Sequence, residues 1–318
     1  MRWNADGLSY IKWPTELTDG WETYSYSFQF ESSRPLLLRV YPNRGGLSQA
    51  RHEFAVMGHL RDLDFAVPEP LLLEEDCAYF GGPFLIRTEA LGSSLFRTML
   101  GRPWMLLTCP RQMAALQAEL HRLPGKGFPA CPAPLLERSL EQLADDIHAG
   151  GWQGLSRGLD WLLSHAPAPP RMPRILHLDF HPINIIQQAD GTLALIDWSE
   201  ADFGDPHADI GTTLVLAECT PAKSVSRLAQ LRVAAGRPFF VRRYLRAYRE
   251  HFPIDTKKLA YYRAWAALRR LCRYGKWLSA GEACGTCKPC AIQLIKRSDL
   301  ASLETYFRRW TGVRVRLS

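Results

Sequence analysis

Three polar side chains in the middle of the chain have types and spacing that could do chemistry: Asp179, Asn184 and Asp197. The first two share the run His177-Leu178-Asp179-Phe180-His181-Pro182-Ile183-Asn184, and Asp197 follows the next apolar stretch. Each group closes a short strand-like segment, Ile175-Leu176 for the first and Thr192-Leu193-Ala194-Leu195-Ile196 for the second, with a turn at Gly191 before the latter. A carboxylate at Asp179 can receive the proton of an attacking hydroxyl and aim it. An amide at Asn184 and a second carboxylate at Asp197 can hold Mg²⁺ against phosphate oxygens. Together these are the requirements of phosphoryl transfer from a nucleotide. Asp and Asn also favour turns and strand ends for purely structural reasons. Two fixed spacings, each at a strand end, favour the chemical reading.

The pattern His-x-Asp-x-x-x-x-Asn followed by a strand and a further Asp matches the kinase catalytic loop and its metal-binding aspartate. Leu178 replaces the usual Arg of that loop, and Trp198-Ser199 replace Phe-Gly.

Elements that must position these residues can be read on both sides. Tyr24 to Phe30 alternates with period two, and Pro35 to Tyr41 is a continuous apolar strand apart from Arg39. A cation inside an apolar strand is costly to bury unless it meets an anion. The helical run Ser48 to Leu60 offers Glu53 as that partner; the plainer reading leaves Arg39 snorkelling to the surface and Glu53 solvated. The turn Thr18-Asp19-Gly20-Trp21-Glu22 lies where a phosphate-covering loop would sit, although Gly20 is its one glycine. Pro83 to Thr88 forms another strand. Glu89-Ala90-Leu91-Gly92 then marks a boundary whose backbone could hydrogen-bond a nucleobase, with Gly92 expected to loosen the chain. Beyond it, Pro110 to His121 starts a helical region in which His121 reads as a packing residue. Ala166-Pro167-Ala168-Pro169-Pro170 is a stiff approach to the catalytic strand.

Taken in order, these pieces resemble the aminoglycoside phosphotransferase and choline kinase family, relatives of the protein kinases, from about Asp19 to about Leu216. The resemblance implies an α+β, two-lobed protein-kinase-like fold: a nucleotide-binding lobe over 1–88, a hinge over 89–94 and a helical catalytic and acceptor-binding lobe over 95–318. It implies ATP or GTP between the lobes, Asp179 as catalytic base, and Asn184 and Asp197 as Mg²⁺ ligands. Gly20, Arg39, Glu53, Glu89 and Leu91 would surround the nucleotide. Asp209 corresponds to the aspartate that braces the catalytic loop from the next helix, while Asp205 reads as a helix cap. Leu178 and Ile183 depart from the family, which often has glycine at both positions, and the departure bears on loop shape.

Composition is consistent with an enzyme of this kind. The 318 residues exceed one ordinary core, 47% are apolar and 22% charged. No apolar run reaches the ~20 residues of a membrane span, and the first residues lack the apolar core of a signal peptide, so a cytoplasmic protein is expected. Cys77, Cys109, Cys131, Cys219 and Cys272 are expected to stay reduced. Cys284, Cys287 and Cys290 could bind a metal, pair as a disulfide or remain free.

Charge is unevenly spread. From Thr220 on there are 22 Lys and Arg against 5 Asp and Glu, a net of +17, and the remainder holds 17 against 27, a net of −10. If the basic third walls the acceptor site, it disfavours a polycationic aminoglycoside and suits a neutral or anionic acceptor. The same arginines could instead coat solvated helix faces. Basic helices carrying aromatics, such as Arg243 to Arg249 and Tyr261 to Trp265, also admit a nucleic-acid-binding role, with the rings stacking on bases. An inactive kinase-like scaffold is a third alternative, although every residue the chemistry requires is present. Nothing in the sequence chooses between ATP and GTP or sets the oligomeric state.

Overall fold

Alternation along Tyr24-Ser25-Tyr26-Ser27-Phe28 sorts small polar side chains from aromatic ones, and the chain folds there as a half-buried strand. The structure, a computed structural model, describes residues 9–17, 23–42, 45–220, 226–280 and 295–317. Its first part is an antiparallel sheet of β1 (Tyr10–Leu17), β2 (Tyr24–Phe30), β3 (Leu36–Val40), β4 (Pro70–Glu74) and β5 (Phe84–Thr88), in the order β1-β2-β3-β5-β4. Register pairs Arg39 of β3 with Ser25 and Leu85, and Leu37 with Ser27 and Arg87. Cross-strand partners share a face. Arg39 and Arg87 therefore lie on the same side of the sheet, and Arg39 there meets helix α1 (Gly46–Asp62). The opposite side carries Tyr24, Tyr26, Leu38 and Ile86 along an apolar groove of about 510 Å³. Helix α1 buries Ala50, Val56, Met57 and Leu60 at helical spacing, and Glu53 is buried among them.

The chain leaves the sheet after Thr88 and turns through Gly92, whose φ is +145°. A Cβ at Gly92 would lie 2.0 Å from the backbone oxygen of Gln187. This glycine therefore permits close approach rather than loosening the chain as the sequence suggested. The approach lets β6 (Ser93–Ser94) pair with β8 (Ile185–Gln187), which pairs in turn with β9 (Leu193–Leu195). Strand β7 (Arg174–Leu176) pairs with β10 (Asp202–Gly204). These short hairpins sit on helices α2 (Leu95–Gly101), α3 (Cys109–Arg122), α4 (Leu135–Gly150), α5 (Gln153–Ser164), α6 (Pro206–Cys219), α7 (Arg227–Arg249), α8 (Thr256–Ala280) and α9 (Arg297–Thr311).

Helix α8 is the spine of the larger lobe and packs against α4, α5, α6 and α9. Its Tyr261, Tyr262, Trp265 and Leu268 are buried with Trp152 and Phe307 in one core. Each such side chain contributes about 2–3 kcal/mol by leaving water. Tyr244 and Tyr248 of α7 are buried likewise. The aromatic rings that could have stacked on nucleic acid are thus core residues, unavailable between the arginines.

Asp205 caps α6, its side chain accepting from the His207 amide, as its sequence context predicts. Cys77, Cys109, Cys131, Cys219 and Cys272 are free thiols. Cys284, Cys287, Cys290 and the Gly20 turn lie outside the described residues. Among the described residues no helix is long and apolar enough to cross a membrane.

Candidate active site

Strand β7 delivers His177 and Asp179, and the β8–β9 hairpin delivers Asn184 and Asp197. The catalytic-loop residues are tied together by their own side chains. Asn184 Nδ2 donates to Asp179 Oδ2 at 2.9 Å and to the Asp179 carbonyl at 3.0 Å. His177, fully buried, accepts from the Asp179 amide through Nδ1 at 3.2 Å and donates through Nε2 to the Ile196 carbonyl at 3.0 Å. One imidazole thus spans the segments that carry Asp179 and Asp197.

Asp209 of α6 holds the loop from below. Its Oδ1 accepts from the Leu178 amide at 2.7 Å and its Oδ2 from the His177 amide at 3.1 Å. This is the bracing role that the resemblance implied. His121, which the sequence suggested as a packing residue, is buried and continues the brace, with Nε2 3.0 Å from Asp209 Oδ2 and Nδ1 2.6 Å from the Tyr248 hydroxyl. Leu178 adopts φ +57°, the left-handed conformation that glycine takes without strain, whereas Ile183 is 44% exposed at ordinary φ.

Arg39 does not snorkel. It is 7% exposed and uses three nitrogens: Nη1 to Glu53 Oε1 at 2.8 Å, Nη2 to Asp197 Oδ1 at 2.9 Å, and Nε to Thr23 Oγ1 at 2.9 Å. The second Glu53 oxygen accepts from the Tyr41 hydroxyl at 2.5 Å. Burial works against the charge on Arg39, but Asp197 and Glu53 overcome it and push its pKa well above the ordinary value. Burial would likewise raise the Asp197 carboxyl, yet Arg39 holds it below the usual range.

For Asp179, burial is outweighed by His181, whose Nε2 is 3.3 Å from Oδ2, and by Arg270 and His177. The carboxyl is held well below the usual range. It stays ionised, suited to aim a hydroxyl and to receive its proton only as transfer proceeds.

Metal binding can be tested on the donor set. Asn184 spends its amide nitrogen on Asp179, which leaves its side-chain oxygen without a donor among the described residues. Asp197 Oδ1 meets Arg39 and Ser199, leaving Oδ2. An amide oxygen and a carboxylate oxygen are hard donors of the kind Mg²⁺ takes, so the residues fit that ion.

Glu89 and Leu91 stand at the exit from β5. The Glu89 amide donates to Pro35 O at 2.9 Å and its carboxylate accepts from Ser27 Oγ at 2.5 Å, so its carbonyl is the group left for a base. Leu91 is 53% exposed. Residues that the sequence reading missed include His181, Thr23, Tyr41 and Glu200, which Arg269 and Arg273 of the basic third grip. Arg87, buried on the Arg39 face of the sheet, was missed too. It carries the signal that exposed Arg39, a cation inside an apolar strand.

Residues 13–269 match the phosphotransferase enzyme family, and the chain belongs to it. No curated protein matches the chain significantly. Among solved structures, a thermostable mutant of aminoglycoside phosphotransferase APH(4)-Ia, in a ternary complex with AMP-PNP and hygromycin B, is 18% identical. Its TM-score is 0.67, with 96% of each chain covered. Amicoumacin kinase hAmiN in complex with AMP-PNP, Ca²⁺ and Ami is 18% identical, with a TM-score of 0.61 over 94% of this chain and 88% of that one. Aminoglycoside-3'-phosphotransferase of type VIII is 19% identical, with a TM-score of 0.58 over 81% of this chain and 92% of that one. An antiparallel sheet followed by a mostly helical part, in this shared arrangement, is the protein-kinase-like fold. The protein is a phosphotransferase of this family.

Proposed function

We propose that the protein transfers the γ-phosphoryl group of ATP or GTP to a hydroxyl of a small neutral or anionic acceptor. The observation that carries this reading is the convergence of Asp179, Asn184 and Asp197 at adjoining strand ends, with Arg39 of the sheet reaching Asp197. The acceptor oxygen attacks the γ-phosphorus, the bond to the β–γ bridging oxygen breaks, and the hydroxyl proton passes to Asp179. Asn184 and Asp197 would hold Mg²⁺, which when bound neutralises charge on the phosphates. Arg39, oriented by Glu53 and Thr23, offers its guanidinium to the phosphate end. The nucleotide would lie between the sheet and the helical lobe across residues 89–94, where Glu89 and Leu91 offer backbone groups to the base. The small-molecule complexes formed by the APH(4)-Ia mutant and by amicoumacin kinase support a small acceptor here too.

The acceptor's charge is inferred from α8. Arg269 and Arg273 of that helix grip Glu200, and Arg270 acts on Asp179 without an ion-pair partner among the described residues. A cation of this kind, so close to Asp179, favours an acceptor without positive charge. The test is a screen of metabolite alcohols with ATP and GTP. Asp179→Ala is expected to abolish phosphorylation while nucleotide binding persists, and unchanged turnover in that variant would sink the assignment.

A further inference from the structure

We propose that Arg87 reads the nucleobase of the phosphoryl donor and favours a 6-oxo purine, guanine, over adenine. The inference rests on the phosphotransferase reading above and names the donor that reading leaves open.

Arg87 lies on β5 opposite Leu37, on the sheet face that also carries Arg39, and is only 5% exposed. Its Nη1 donates to the carbonyl of Thr88 at 3.1 Å, and its Nε has no hydrogen-bond partner. No ion pair compensates it among the described residues. The carboxylates that act on it, Glu53 and Asp197, both bond Arg39 instead, and the second Glu53 oxygen goes to Tyr41. Burial, joined by the charge of Arg39, pulls the guanidinium's pKa down, with Glu53, Tyr41 and Asp197 opposing only in part. A buried cation with an idle donor is costly unless a ligand completes it.

Position says which part of a ligand would do so. Arg39, on the neighbouring strand and the same face, marks the phosphate end of the cleft. Two residues after Arg87 the chain reaches Glu89, where the backbone strip for the base begins. Arg87 therefore stands at the base end, beside the Thr88 carbonyl.

A guanidinium only donates. Guanine presents two acceptors, O6 and N7, along one edge, whereas adenine presents N7 beside a donating 6-amino group. Guanine O6 would give Arg87 the acceptor it lacks. An adenine amino group would set donor against donor.

The test measures binding of GDP, inosine diphosphate and ADP, each with Mg²⁺, to the full chain by calorimetry, so that no acceptor is needed. Inosine diphosphate keeps O6 and lacks the 2-amino group, which isolates position 6. GDP and inosine diphosphate are expected to bind about tenfold or more tightly than ADP. Arg87→Met should bring the ratio close to one by tightening ADP and weakening GDP. Equal or tighter ADP binding by the wild type, or an unchanged ratio in Arg87→Met, overturns the proposal. If that variant does not fold, the ligand series on the wild type decides alone. A preference for ADP removes this inference and leaves the phosphotransferase reading standing, whereas failure to bind all three nucleotides removes both.

Discussion

Asp209 Oδ1 accepts the Leu178 amide at 2.7 Å, and Leu178 is held at φ +57°. The bond fixes a peptide orientation that presents Asp179 next in line, in a conformation costing a non-glycine residue about 1–2 kcal/mol. Leu178 is nonetheless only 4% exposed and packs in the main core of the helical lobe, so its burial offsets the strain. Truncation should reveal both effects. Leu178→Ala keeps the strain and loses the packing, and is expected to destabilise by about 2–3 kcal/mol. Leu178→Gly loses the same packing but relaxes the backbone, and should cost about 0.5–1 kcal/mol less than Ala despite its more flexible unfolded chain. Urea unfolding of both variants checks this order; a glycine variant weaker than the alanine one would contradict it.

Arg39 joins Glu53, Thr23 and Asp197 with three separately directed nitrogens. A lysine offers one point charge and cannot satisfy all three. Arg39→Lys should lower stability by about 1–2 kcal/mol and raise the KM for nucleotide. Arg39→Met leaves the fully buried Glu53 carboxylate with Tyr41 as its hydrogen-bond partner among the described residues and should cost about 3–5 kcal/mol. In a cycle with Glu53→Gln the Met penalty should shrink. Additive penalties would mean that the two side chains do not act as a pair.

Acid should unfold the protein through its buried carboxylates. Burial would raise Asp205, but bonds from His207 and Lys258 pull it down to about 2 from 3.8. Because the folded pKa is the lower one, the stabilisation is complete above pH 3.8 and is lost as pH falls through about 2. Asp179, Asp197, Glu200 and Asp209 are shifted in the same direction. Stability should hold near neutrality and fall steeply below about pH 4. Asp205→Asn should cost about 2 kcal/mol at pH 7 and converge on the wild type toward pH 2. A constant gap between the two proteins across that range would assign the cost to lost packing instead.

The placement of Asp179, Asn184 and Asp197 at adjoining strand ends was legible because each closes or follows a short apolar run. Period two revealed β2, and helical spacing revealed α1 and α3. Strand β1 was not legible: all eight of its residues are exposed, so no face of it is marked by burial. Helices α4 and α5 were passed over although Leu140, Leu143 and Ile147, then Leu155, Leu159 and Leu162, recur at helical spacing. The Arg39–Glu53 pair could be inferred from the cost of a lone cation in a strand. Asp197 as a further partner of Arg39 could not, because that contact joins residues 158 positions apart. The basic C-terminal third also reads differently in three dimensions. Lys258 meets Asp205, Arg263 meets Glu218, and Arg269 and Arg273 meet Glu200, so part of the +17 is set against the acidic remainder.

What survives that pairing sits where it matters for the acceptor. Around Asp179, Arg269 and Arg273 of α8 meet Glu200, while Arg270, without an ion-pair partner among the described residues, adds to the field that keeps Asp179 ionised. Surface charges are screened within about 8 Å at physiological salt, but partly buried ones persist over that range. A polyamine acceptor would meet repulsion on its way to Asp179, and an acceptor carrying a carboxylate or phosphate would be drawn in. Neutral and acidic alcohols are therefore expected to be phosphorylated with higher kcat/KM than a kanamycin-type polyamine. For an anionic acceptor, Arg270→Gln should raise KM about tenfold while changing kcat little. The advantage of the anionic acceptor should narrow as salt rises. Efficient phosphorylation of the polyamine, unaffected by Arg270→Gln, would show that the acceptor approaches Asp179 from a side this helix does not guard.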